Sequence, residues 1–150
     1  MPNNEVETVA LKKELLEQNK LKFENEISIL NSLSTTWGWS PDTLLGGILL
    51  ERIPSSQTPL NISNFNVEGD TAVLNVDVKL VNGNSCYFDD SLYLIVDHFD
   101  GVQMFDVIAK NIGKGDSCRV LVPSFLAYGV RGLPGYVPPD AMLLVDVRQH

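Results

Sequence analysis

The chain has 150 residues and a net charge of −8 at neutral pH. This length suits one domain that can bury its own core, and the acidic balance argues against a nucleic-acid partner because phosphates repel it. No apolar run reaches transmembrane length and residues 1–4 do not begin a signal peptide, so we expect a soluble cytoplasmic chain, or a periplasmic one where a leader precedes it. Cys86 and Cys118 lack metal or redox spacing and are interpreted as buried thiols in strands.

Residues 5–33 are predicted to form a helix, because they lack Gly and Pro and are rich in Leu, Lys and Glu. Leu16, Phe23, Ile27 and Leu30 recur at spacings of seven, four and three, which places one apolar stripe along the helix. The stripe has two interpretations. It packs on the rest of the same chain, which we favour, or it pairs two copies into a homodimer.

The helix is expected to end within residues 34–42, where Trp37, Gly38, Trp39 and Pro41 lie close together. The two Trp are expected to cover the edge of a core rather than to form a ligand platform. We therefore divide the chain into a helical extension, residues 1–40, and a folded domain, residues 41–150.

Strand patterns follow this boundary. The clearest covers residues 71–81, where Leu74, Val76, Val78 and Leu80 alternate with polar residues and predict one buried and one solvated face. Asn82-Gly83 is a strong hairpin signal, so the chain should return antiparallel to this strand. The other predicted elements are a strand at residues 44–53 with a bulge at Gly46-Gly47, a polar loop at residues 54–66, a return strand at residues 86–88 and a strand at residues 92–96.

A short helix is predicted at about residues 101–112, with Asp100 as its N-cap and Gly113 just after its end. Its buried face would consist of Val102, Phe105, Ile108 and Ile112. Many antiparallel strands combined with one short helix indicate an α+β domain.

The last part of the chain predicts two strands, residues 119–122 and 142–147, joined by a long loop. The loop carries Tyr128, Gly129, Gly132, Leu133, Pro134, Gly135, Tyr136, Val137, Pro138 and Pro139. Gly permits unusual φ values and Pro restricts φ, so we expect a loop of defined shape, and a loop of this length is usually functional. Its apolar side chains predict a wall over a hydrophobic pocket.

This segment resembles a known family. Ala127-Tyr128-Gly129, Gly132, Pro134-Gly135, the VPPDA sequence at residues 137–141 and the strand at residues 143–147 match the C-terminal signature of FKBP-type peptidyl-prolyl isomerases without a gap. Weaker similarity extends back to about Leu45. The resemblance implies a curved antiparallel sheet wrapped around one short helix, with the pocket between them. It also implies activity on X-Pro bonds in polypeptides and binding of macrolide-type ligands, and some members have helical N-terminal extensions.

Conventional catalytic sets are missing from the sequence. The histidines are His98 and His150, and no Ser-His-Asp set, paired His ligands or phosphate-binding Gly-rich loop is present, so we expect neither cofactor nor metal. Prolyl isomerisation does not need them, because its barrier of about 18–20 kcal/mol comes from amide resonance. The twisted transition state has less charge separation, so a dry apolar pocket with a donor for the carbonyl oxygen favours it.

The resemblance assigns site residues one by one. The implied catalytic residues are Tyr128, a hydrogen-bonding group of the signature, Phe105, a pocket floor where the family usually has Trp, and Asp89 of a Phe-Asp pair that requires two extra residues in the hairpin return. The implied substrate-binding residues are Val76, Phe88, Leu92, Val102, Leu133, Tyr136, Val137 and Val145. Val76, Leu92 and Val145 stand where the family has aromatics, so we expect a wider pocket. For Val76 and Val145, a place in the plain core fits equally well.

Two functions are compatible with this pattern. The first, which we favour, is a peptidyl-prolyl cis-trans isomerase. The alternative is a chaperone-like or partner-docking module with the same fold and little turnover. For the isomerase we expect Tyr128, Phe105 and Phe88 to line one cleft, whereas for the binding module we expect the cleft to be filled by larger neighbours or closed by the shortened loop.

Overall fold

The computed structural model describes residues 4–53, 64–98 and 101–150, with side chains from residue 8 onward. Its helices and strands are α1 (Asn4–Thr36), β1 (Asp42–Thr43), β2 (Leu49–Ile53), β3 (Thr71–Leu80), β4 (Ser85–Ile95), α2 (Gln103–Ala109), β5 (Ser117–Val122) and β6 (Leu143–Gln149). Most of the expected polar loop at residues 54–66 and the expected Asp100 cap lie outside the described residues. Neither α1 nor α2 is both long enough and apolar enough to cross a bilayer.

The six strands form one antiparallel sheet in the order β1-β2-β5-β6-β3-β4. β3 shows the predicted alternation, because Ala72, Leu74, Val76 and Val78 are buried and the residues between them are half-exposed. Successive strand residues point to opposite faces, so one face of the sheet forms the core. The predicted α+β fold, a sheet with one short helix and a second helix at the N-terminus, is confirmed.

Helix α2 packs on this buried face of the sheet. Its residues from Met104 to Ala109 are all buried, and all of them except Asp106 join one apolar cluster with side chains of β3, β5 and β6. The helix is shorter than predicted, because the Asn111 side chain donates to the carbonyl of Val107 at 2.7 Å while the Asn111 N–H donates to Ile108 at 3.0 Å. Val102 is the N-cap and forms no side-chain capping bond.

The predicted strands differ from the structure in two places. Residues 44–53 do not form one strand, because Leu45–Gly47 is a 3₁₀ turn that precedes β2. Gly46 and Gly47 adopt φ values of 73° and 90°, which L side chains rarely adopt. A Cβ on Gly47 would lie 2.0 Å from Cδ1 of Ile27, so glycine also allows α1 to approach this turn.

The second difference is at β4, which is one continuous strand of 11 residues where the sequence predicted two. Its pairing with β3 contains register shifts between Leu74 and Val76 and between Val78 and Lys79. Each shift reverses which β4 side chains face the core, because side chains alternate with a period of two.

The opposite face of the sheet carries a smaller apolar cluster under α1. Leu49 and Leu121 are register partners on β2 and β5, and their neighbours Leu50 and Val120 belong to the main core. Leu30 of α1 covers this pair, and Leu30, Leu49 and Leu121 are at most 1% exposed. The C-terminal part of α1 therefore packs on its own chain, which is the interpretation that we favoured.

The earlier part of α1 does not continue this packing. Side chains at residues 8–25 are exposed, and Leu16 of the predicted stripe is 69% exposed, so the stripe is wrong at this position. The helix ends at Thr36, within the expected boundary. Trp39 then packs against the smaller cluster, as expected for a residue at the edge of a core, and its ring lies 5.6 Å from that of Trp37.

Candidate active site

A cavity of about 320 Å³ lies between α2, β4 and the long loop that precedes β6. Its lining consists of Tyr87, Leu92, Tyr93, Leu94, Ile95, Gly101, Val102, Phe105, Asp106 and Tyr128. Ligand sites usually measure roughly 300–1,000 Å³ and combine apolar walls with a few polar groups. The cavity has this composition, with two phenol hydroxyls near each other and one carboxyl group.

Helix α2 supplies the inner wall. Phe105 is 6% exposed, and its N–H donates to the carbonyl of Val102 at 3.2 Å, which closes the first turn at the cavity edge. Asp106 is buried, and its Oδ1 accepts the N–H of Asp97 at 3.0 Å. This carboxyl group therefore ties the turn after β4 to α2.

The polar end of the cavity is a pair of tyrosines. The Tyr87 and Tyr128 hydroxyls hydrogen-bond each other, and their rings meet edge-to-face with centroids 6.3 Å apart. Burial raises the pKa of Tyr87, and the hydrogen bond to Tyr128 raises it further. Burial also raises the pKa of Tyr128. Both phenols therefore keep their protons at neutral pH. One hydroxyl proton forms the hydrogen bond between the two tyrosines, so the other hydroxyl proton can be donated to a ligand.

The long loop is shaped by its own backbone, as predicted. Leu133 and Val137 exchange two N–H···O bonds of 2.8 Å, which fold the segment between them into a tight turn. Gly132 has a φ of 65°, and a Cβ there would lie 2.4 Å from the Val137 oxygen. Val137 is buried and Leu133 packs against the main core, whereas Tyr136 is exposed and its ring meets that of Tyr87 edge-on at 6.3 Å.

The structure brings four of the residues assigned by resemblance to one cavity, namely Tyr128, Phe105, Val102 and Leu92. Three others lie nearby on the loop: Leu133 in the core, and Tyr136 and Val137 in a groove formed with the prolines of the loop. Val76 and Val145 are fully buried in the main core and do not line the cavity.

The placement of Phe88 needs correction. Phe88 is 62% exposed and lies outside the cavity, whereas its neighbour Tyr87 lines it. Val78 pairs with Tyr87 but Lys79 pairs with Ser85, so β4 contains one extra residue next to the hairpin. This bulge reverses the facing of the strand and turns Tyr87 inward.

Asp89, the other member of the expected pair, is half-buried but does not line the cavity either. Its Oδ1 accepts the N–H of Ser91 at 3.0 Å. The carboxyl group therefore stabilises the bulge of β4 between Asp89 and Leu92. There, an advance of two residues on β3 is matched by an advance of three residues on β4. Across the described ranges, no three His, Cys, Asp or Glu side chains are grouped as ligands of a metal ion.

Comparison with known proteins found relatives whose names agree with each other. No family model matches the chain. It is 28% identical to FK506-binding protein 1 of Candida glabrata over 112 residues, which cover 71% of this chain and 93% of the relative. It is 36% identical to the FKBP-type peptidyl-prolyl cis-trans isomerase FkpA of Escherichia coli over 84 residues, which cover 53% of this chain and 30% of the relative.

A solved structure has the same fold. The crystal structure of a peptidyl-prolyl cis-trans isomerase from Pseudomonas syringae aligns with a TM-score of 0.67 at 16% identity. The alignment covers 87% of this chain and 92% of the other. At this identity the match concerns the fold, and the chemistry of the site has to come from the residues of this chain.

Proposed function

We propose that the chain is a member of the FKBP-type family and a peptidyl-prolyl cis-trans isomerase acting on X-Pro bonds in polypeptides. The observation that carries the proposal is the apolar cavity against α2 with its pair of protonated tyrosines. An apolar wall and one free phenol proton are what the rotation of an amide needs, since no bond to a heavy atom is made or broken.

In this mechanism the cavity receives the prolyl ring and the preceding carbonyl. Phe105, Leu92 and Val102 exclude water, which favours the twisted amide because it has lost the charge separation of the planar form. The free proton of the tyrosine pair donates to the carbonyl oxygen, and this bond lowers the barrier to the extent that it strengthens as the amide twists. Tyr128 is the donor that we propose, with Tyr87 as its hydrogen-bond partner.

A macrolide is the second ligand class that we propose for this cavity. The relatives named FK506-binding proteins support it, and the apolar lining with a phenol donor is suited to a large ester or amide ring. Competition provides the check, since a macrolide that occupies the cavity should inhibit turnover of X-Pro peptides.

The proposal is tested by a protease-coupled assay on a panel of X-Pro peptides with matched substitutions. Phe105→Leu removes an aromatic wall of the cavity and should lower kcat/KM. Phe88→Leu makes the same change at an exposed position outside the cavity and should leave kcat/KM unaltered. A folded chain without turnover would support the binding module instead, and equal losses in both variants would place the reaction elsewhere.

We also propose the division into residues 1–40 and 41–150 and the pairing of two copies through α1. Support for pairing comes from apolar side chains of the N-terminal part of α1 that are 57% exposed or more: Val9, Leu11, Leu15, Leu16 and Leu21. Sedimentation of the full chain and of a chain lacking residues 1–18 provides the test. A monomer in both cases would exclude the dimer.

A further inference from the structure

One turn of α1, residues 22–26, contacts the long loop at the site. The carboxyl group of Glu26 accepts two hydrogen bonds from Ser124, one from its N–H and one from its Oγ, both at 2.7 Å. Glu26 is 6% exposed and Ser124 is 2% exposed, so this contact is removed from water. Hydrogen bonds to a carboxylate in such a place are strong and directional.

The Ser124 backbone transmits this anchor to the segment that carries Tyr128. Its carbonyl accepts the N–H of Ala127 at 3.1 Å and that of Gly129 at 2.8 Å, so the residues on both sides of Tyr128 bond to Ser124. The carbonyl of Gly129 in turn accepts the N–H of Asp140 at 2.8 Å. Tyr128 therefore stands in a hydrogen-bonded frame whose fixed point is the contact with Glu26.

Two further contacts from the same turn of α1 hold this frame. Lys22 forms an ion pair with Asp140, and the Phe23 ring lies 4.6 Å from the Phe125 ring. Both groups of the ion pair are more than 40% exposed, so it adds little on its own. The buried Glu26 contact is the stronger one, because an uncompensated carboxyl group or serine amide at this depth would be costly.

We propose that Glu26 is a positioning residue of the site, which holds Ser124 and thereby aims the Tyr128 hydroxyl at Tyr87 and into the cavity. The catalytic part of this inference rests on the proposed isomerase function, whereas the anchoring of the loop does not. The helix that the sequence marks as an extension thus contributes to the site from outside it.

The first test measures anchoring without activity. Amide hydrogen exchange at Gly129 and Asp140 should become about tenfold faster or more in Glu26→Ala, as expected for loss of hydrogen bonds to a charged group, while the amides of β3 keep their rates. Glu26→Gln keeps the shape and one acceptor and should restore most of the protection. Glu24→Ala is the matched control, because Glu24 is exposed on the same helix and pairs with Lys20.

The second test is a double-mutant cycle on kcat/KM. Tyr128→Phe should cost its full factor in the native and Glu24→Ala backgrounds, but less than about twofold in the Glu26→Ala background, where the hydroxyl is already misplaced. A purely structural role of Glu26 predicts the same factor in all three. Ser124→Ala, which removes one of the two bonds, replaces Glu26→Ala where that variant does not fold.

The outcomes separate the two proposals. Unchanged exchange at Gly129 and Asp140 in Glu26→Ala overturns the inference whatever the activity, and so does an additive cycle. Faster exchange in a chain that lacks isomerase turnover overturns the proposed function and leaves the anchoring of the loop in place. Faster exchange together with a non-additive cycle supports both.

Discussion

Removal of one hydroxyl, in Tyr128→Phe, is the sharpest test of the apolar-cavity mechanism. The ring stays, so its edge-to-face contact with Tyr87 and the cavity wall should change little. A hydrogen bond contributes about 0.5–1.5 kcal/mol net, so loss of one bond in the transition state should lower kcat/KM roughly 2- to 13-fold. Abolition is not expected, because exclusion of water by the walls carries the larger share.

The Tyr87 hydroxyl provides the matched comparison. Tyr87→Phe removes the partner but leaves the Tyr128 hydroxyl free to donate to the substrate, so its effect should be smaller. The double variant should behave like Tyr128→Phe alone, because both changes act on one hydrogen-bonded pair. The protease-coupled assay gives the rates, and thermal unfolding by circular dichroism shows that each variant is folded.

The pH profile is part of the same test. Burial raises the pKa of both tyrosines above its ordinary value of about 10, so kcat/KM should be flat from about pH 6 to 9. The folded chain holds these two protons more tightly than the unfolded chain, so their contribution to stability is complete below about pH 10 and is lost as the pH rises further. A steep change in activity near pH 7, or complete inactivity of folded Tyr128→Phe, would refute the mechanism because it would require proton transfer.

Three other substitutions and one thiol reagent probe the cavity, the loop and the core. Phe105→Trp should raise turnover or ligand affinity by narrowing the cavity, at an overpacking cost of about 1–3 kcal/mol, and an unchanged activity with an unchanged Tm would show that Phe105 is outside the working pocket. Gly135→Ala should lower the stability of the fold by about 1–2 kcal/mol because Gly135 has a positive φ. Gly132→Ala should lower the Tm further, because its Cβ would also lie too close to the Val137 oxygen. Equal losses of stability in the two variants would contradict this close approach. Burial raises the pKa of Cys118 to about 12, so a thiol reagent should label the half-buried Cys86 first and reach Cys118 on unfolding, and equal rates would place Cys118 at the surface.

The sequence predicts those parts of the fold in which a local pattern decides the outcome. The alternation of β3 gives its buried face, and the glycines and prolines of the long loop give its defined shape. The periodicity of α2 gives the buried face that carries Phe105, whereas the positions of Phe105 and Tyr128 on the cavity are what the resemblance to the FKBP-type signature implies.

Which side chains of β4 face the core could not be predicted from a local pattern. Each bulge adds one residue to β4, and its position depends on the pairing with β3 rather than on the β4 sequence. An error of one residue exchanges Tyr87 for Phe88, so the tyrosine partner at the cavity was missed. Tyr87 remained detectable as a candidate, because it precedes the expected Phe-Asp pair by one residue.

The sequence also contains an unused indication that both faces of the sheet are covered. β2 and β5 contain the apolar runs Leu49-Leu50 and Val120-Leu121-Val122, and such runs indicate strands that are buried on both faces. Leu30 is the side chain of α1 that completes this second cluster. Which helix residues meet Ser124 is a matter of tertiary geometry and has no counterpart in local sequence.

The contacts of α1 predict that two truncations will differ. Removal of residues 1–18 takes away only exposed helix among the described side chains, so stability and kcat/KM should be retained. Removal of residues 1–33 also deletes Leu30 and Glu26, which uncovers Leu49 and leaves Ser124 without its partner. Loss of a buried Leu side chain alone costs about 2–5 kcal/mol, so Tm should fall by many degrees in the longer truncation. Equal Tm values for the two truncated chains would show that the contacts of Leu30 and Glu26 do not stabilise the domain of residues 41–150.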